Sequence, residues 1–162
     1  MTVSAIRKPV GVAETLKVPR LSTDFLNRYN EALMLIELAV DDNTAVDDLK
    51  SWRALGYREH FAISSLRCAP SALAAYDAVV PARRAGFEEL CRTMARLVAT
   101  ATALLAEKRP GLEPTTIVAV AGEALRRQIG RATQFINANG KIDIGSVESR
   151  ALQDEIDALL AR

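Results

Sequence analysis

The sequence is short of almost every residue type that carries recognisable chemistry. It has one histidine, two cysteines and one tryptophan in 162 residues, and aromatic residues make up 5%. A single histidine, His60, offers no Ser/His/Asp triad that spacing alone can identify. Cys68 and Cys91 do not form a Cys-x-x-Cys pair, which argues against a zinc site and fits a reducing compartment. No Gly-x-Gly-x-x-Gly or Gly-x-x-x-x-Gly-Lys-Ser/Thr loop occurs, so no cofactor is expected. Charge of one sign is lacking too: 21 basic and 20 acidic side chains leave +1. That balance excludes a global electrostatic pull toward nucleic acid or an anionic membrane. No uncharged run reaches the roughly 18 residues of a membrane span. Arg7 and Lys8 are followed by no apolar run, so no signal peptide and a cytoplasmic location are expected.

What the chain has is helical periodicity. Hydrophobic residues make up 49%, enough for one domain with its own core. Phe87, Met94 and Ala101 recur every seven residues, as do Leu90, Leu97 and Leu104, and Cys91, Val98 and Leu105. This apolar stripe predicts one long helix from Pro81 to about Lys108, with Pro81 in its first turn and Pro110-Gly111 at its end. Pro114 opens a second long helix, in which Val118, Ala121, Leu125, Ile129, Ala132 and Ile136 mark one face. The short connection predicts an antiparallel pair. Small residues at Ala99, Ala101, Ala103, Ala119, Ala121, Gly122 and Ala124 suggest close packing, within the domain or in a homodimer.

Four shorter helices are expected ahead of the pair. The first runs from an N-cap at Ser22 to about Ala39, and the second has Asp47 and Asp48 in its first turn and ends at Gly56. The third runs from Tyr57 to about Arg67, and the fourth carries Leu73, Tyr76 and Val80 inward. The expected fold is all-α: a helical bundle built on a long antiparallel hairpin with shorter packing helices. Residues 1–20 form an N-terminal arm, 21–139 the helical domain, 140–150 a linker and 151–162 a C-terminal amphipathic helix.

Most local clusters have ordinary explanations. His60 lacks the residues that follow a phosphotransfer histidine, so it reads as a helix residue. Asp41, Asp42, Asp47 and Asp48 read as turn and capping groups rather than metal ligands. The stretch from Asn137 to Ile142 has the glycine of an EF-hand loop, but Phe135 and Ser146 stand where carboxylates are required. Arg83, Arg84, Arg126, Arg127 and Arg131 read as solvated helix faces without interleaved aromatics. No metal site is predicted.

The tail is more specific. Leu152, Ile156, Leu159 and Leu160 fall at i, i+4, i+7 and i+8, and Asp154, Glu155 and Asp157 lie among them. Such a short helix is marginal alone and needs a surface to dock on. The segment Gln153-Asp154-Glu155-Ile156-Asp157-Ala158-Leu159-Leu160 resembles the receiver-binding peptide of bacterial chemotaxis, found in the flagellar switch protein FliM and the phosphatase CheZ. The resemblance covers eight residues. It implies a CheY-like response-regulator receiver as partner, in chemotaxis or two-component signalling. It also implies that Ile156, Leu159 and Leu160 enter the receiver groove while Asp154 and Asp157 meet lysines at its rim. The CheZ family uses an acidic residue four positions before a water-orienting glutamine. Gln128 has Leu125 three residues before it, as in that family, but Ala124 stands at the acidic position and Glu123 is one place off. Gln128 is therefore the one catalytic candidate, for a phosphatase acting on a receiver aspartyl phosphate. The alternative is a non-catalytic dimeric helical protein of structural or regulatory role, whose C-terminal helix packs on its own domain.

Overall fold

The computed structural model describes residues 18–144 and, beyond them, residues 154, 157, 158 and 161. The described residues are all-α, with six α-helices. A 3-10 turn at Thr23–Leu26 leads directly into α1, Asn27–Leu38. The others are α2, Asn43–Ser51; α3, Tyr57–Ala62; α4, Ala69–Ala78; α5, Pro81–Glu107; and α6, Pro114–Asn137. No helix among them is long and apolar enough to cross a membrane.

The two long helices organise the rest. Phe87, in the second turn of α5, stacks on Phe135, in the last turn of α6, with ring centroids 4.7 Å apart. The other ends of these helices are joined by residues 108–113, so α5 and α6 run antiparallel. The predicted α5 stripe is buried from Phe87 to Leu105, except that Cys91 is only partly covered. Buried side chains of this kind each contribute about 1.5–3 kcal/mol of transfer free energy, which is what sustains helices of this length. On α6 the predicted face is buried, Val118 partly so; Ile117 is buried beside it, and Gly122 lies against Leu33 of α1. Ala99, Ala103 and Ala119 are exposed and do not pack within the domain.

Helices α3 and α4 close over the Phe87–Phe135 end of the hairpin, and α2 packs farther along α5, near Val98 and Thr102. Phe25, Tyr29, Tyr57, Tyr76 and Phe87 form a connected ring cluster, with Tyr57 and Tyr76 stacked at 4.6 Å. Thus all three tyrosines of the chain, together with Phe25 and Phe87, fill one aromatic core.

Several expected boundaries shift, each for a local reason. Helix α2 begins at Asn43, because Asp42 is its N-cap: its carboxylate accepts from Thr44 N at 2.9 Å and Thr44 Oγ1 at 2.6 Å. Those bonds hold the Asp42 carboxyl below its ordinary range. Asp47 and Asp48 consequently sit beyond the first turn. Helix α2 ends at Ser51, where Trp52 turns extended and its Nε1 donates to Arg28 O at 3.1 Å. Gly56 then precedes α3 rather than ending α2. Helix α3 stops at Ala62 because Ile63 and Leu66 find no core to enter, and Ser64 Oγ accepts from Leu66 N at 3.1 Å. Val80, expected to point inward, is 54% exposed and forms the N-cap position of α5.

Candidate functional site

Residues 19–21 and the end of α6 meet at one corner, which is built around Asn139 and Gly140. The end of α6 is closed by two successive left-handed residues, Asn139 at φ 52° and Gly140 at φ 73°. Gly140 N donates to Phe135 O at 2.9 Å and Asn139 N to Ile136 O at 2.9 Å, satisfying carbonyls that the helix end would otherwise orphan. The Asn139 carboxamide is used at both ends. Its Oδ1 accepts from Leu21 N at 2.8 Å and its Nδ2 donates to Pro19 O at 3.0 Å. One side chain therefore ties residues 19–21 to the end of α6.

Beyond Gly140 the chain stays on the domain for several residues. Asp143 Oδ1 accepts from Arg83 Nε at 3.0 Å. Ile144 is partly buried against the core, and its carbonyl lies beside Gly86 of α5. The segment predicted as linker from residue 140 is thus docked through Ile144. Helical residues reappear in the tail: Asp154 and Asp157 are helical and exposed, as is Ala158. The other residues assigned to receiver binding, Leu152, Gln153, Ile156, Leu159 and Leu160, lie outside the described residues.

Gln128 is not placed to act on another protein. Its side chain is 1% exposed, within the inward face of α6. Its Oε1 accepts from Arg131 Nη1 at 2.9 Å. A glutamine that orients water on a partner's phosphate has to project from the surface, and this one is enclosed by its own helices. We assign it instead to satisfying polar groups inside the bundle, where an unpaired amide is costly.

A second concavity of about 350 Å³ opens between the 54–59 segment and α5, with Tyr29, Tyr57, Tyr76, Glu88, Cys91 and Arg92 in its walls. Tyr76 donates to Glu88 Oε1 at 2.6 Å. Burial, then the hydrogen bond and charge of Glu88, raise the Tyr76 phenol well above its ordinary range. Burial, then the Glu88 charge, push the Cys91 thiol up to about 12. A protonated thiol is a poor nucleophile, so Cys91 is not activated for attack.

The remaining candidates are engaged structurally. His60 Nε2 is 2.9 Å from Asp24 Oδ2, and the ring packs on Phe25 and Phe61. Arg126 pairs with Glu37 and Glu123. Among the described residues no group of three or more His, Cys, Asp or Glu could hold a metal ion.

No family model, curated protein or solved structure matches the chain. The functional reading therefore comes from its own residues.

The tail's candidates were legible as an amphipathic pattern. The role of Asn139 was not: Asn139-Gly140 reads locally as a helix stop, and its side-chain partners are 118 and 120 residues away in sequence.

Proposed function

We propose that the chain is an adaptor whose C-terminal helix, residues 151–162, binds the receiver domain of a response regulator in chemotaxis or related two-component signalling. The observation that supports this reading is that Asp154 and Asp157, the two carboxylates the resemblance places at the receiver's rim, stand exposed on a helix. The burial of Gln128 favours an adaptor over a phosphatase.

The test is binding of CheY-like receiver domains to the full chain and to a chain ending at Ile144, with and without beryllofluoride. The full chain binds, and more tightly to the beryllofluoride form. The shortened chain keeps its helicity and loses binding. Equal binding by the shortened chain would remove the tail from the contact.

A second reading, a dimeric helical regulatory protein, is favoured by Met34 and Leu38, which are exposed one turn apart on α1. Sedimentation of the chain ending at Ile144 tests it: a dimer broken by Met34→Lys supports it, and a monomer refutes it.

A further inference from the structure

We infer that the corner cleft beside Val80 receives the chain's own C-terminal helix, in a reversible contact that competes with an outside partner. As regulation of the same segment it rests on the receiver reading, although the docking itself can be observed without a receiver.

The cleft measures about 280 Å³ and lies where α4 passes into α5, bordered by Val18, Val79, Val80, Arg83, Gly140 and Lys141. Its apolar exposure is concentrated. Val18 is 64% exposed and Val80 54%. Single exposed hydrophobics are ordinary, but two lining one cleft mark a contact surface.

Chain length and exit point favour the tail as occupant. Ile144 lies beside Gly86, and six residues of α5 separate Val80 from Gly86, roughly 9 Å along the axis. Residues 145–150 span up to about 20 Å when extended, more than that separation. A twelve-residue helix, the length the sequence pattern gives for 151–162, spans about 18 Å. It starts within reach of the cleft without crossing the bundle.

Chemistry favours it as well. The tail brings Leu152, Ile156, Leu159 and Leu160 for the apolar floor, and Asp154, Glu155 and Asp157 for a basic rim. Arg83 and Lys141 provide that rim. Arg83 is held at 3.0 Å by Asp143, whose side chain is 83% exposed, so this ion pair is open to exchange with a tail carboxylate. The marginal stability of so short a helix in water supplies the drive to dock.

The contact has a defined consequence. A receiver must capture the undocked fraction, so its apparent affinity falls by that fraction. Disrupting the cleft raises the affinity and leaves the peptide unchanged.

Two substitutions test this with little risk to the fold. Val80→Asp places a favoured N-cap residue at the start of α5, where no side-chain cap exists. Val18→Asp alters a cleft residue already 64% exposed. The readout is amide hydrogen exchange across residues 151–160 in the full chain, against a free peptide of residues 151–162. Slowing by about tenfold relative to the peptide, lost in both variants, is expected, tenfold being an order-of-magnitude figure for a docked minority-open state. Exchange equal to the peptide's in the unaltered chain overturns the proposal, as does protection that survives both substitutions. Protection that grows with protein concentration assigns the cleft to a second copy and overturns the intramolecular form. Changes confined to residues 1–17 assign it to the N-terminal arm and overturn it too.

Receiver titration separates the two readings. Tighter binding by Val80→Asp, about threefold or more, supports competition. A protected tail with no receiver binding in any form keeps the docking and removes the receiver. Unprotected tail amides with undiminished receiver binding do the reverse.

Discussion

Replacing Gly140 by alanine isolates the energetics of the corner where residues 19–21 meet the end of α6. Gly140 sits at φ 73°, where an L-residue is strained. A β-carbon there would lie 2.6 Å from Val79 Cγ2, 3.3 Å from Val79 Cγ1 and 3.4 Å from Phe135 Cζ. The first distance is too short for carbon atoms, and valine is stiff about χ1, so it has no easy retreat. The left-handed backbone costs about 1–2 kcal/mol and the overlap about 1–3 kcal/mol, together roughly 2–5 kcal/mol. For a chain of this size that lowers Tm by roughly 4–20 °C. The control is Gly111→Ala. Gly111 is at φ 84° with nothing within 4 Å of a β-carbon, so only the backbone cost of about 1–2 kcal/mol applies. Thermal and urea unfolding followed by circular dichroism measure both. Adding Val79→Ala to Gly140→Ala should recover about 1–3 kcal/mol of the sum of the single effects. If Gly140→Ala costs no more than Gly111→Ala, or the double variant shows no recovery, the overlap argument is wrong.

Alkaline pH should unfold the bundle through its tyrosines. Burial pushes the Tyr57 phenol up to about 12 and raises Tyr29 and Tyr76 further, against about 10 when unfolded. Their contribution is fully present below pH ~10 and is lost as pH climbs from there through the folded values. Tyrosinate absorbance and helix loss should rise together; a tyrosine ionising near pH 10 with helicity intact contradicts the aromatic core. Thiol labelling provides another check. Cys68 is exposed and Cys91 is held protonated, so iodoacetamide should add once, at Cys68, until the chain unfolds. Comparable modification of Cys91 in the folded protein would show that its cover opens readily.

The helices themselves were readable from the chain, because their causes are local. Periodic leucines and alanines, prolines at Pro81 and Pro114, and Asn139-Gly140 act within one or two turns of where they stand. Boundaries slipped where a side chain chose a distant partner: Trp52 reached for Arg28 and ended α2 early, and Val80 was left outside. The site followed the same division. The tail's amphipathic spacing needs only its own residues to be seen. The enclosure of Gln128, the binding of residues 19–21 by Asn139 and the gathering of Val18 and Val80 at one corner depend on which helices pack together. Helical period tells which face of a segment turns inward, but it does not tell what that face meets. That is decided by contacts between residues far apart in the chain, and only the assembled bundle brings them within reach.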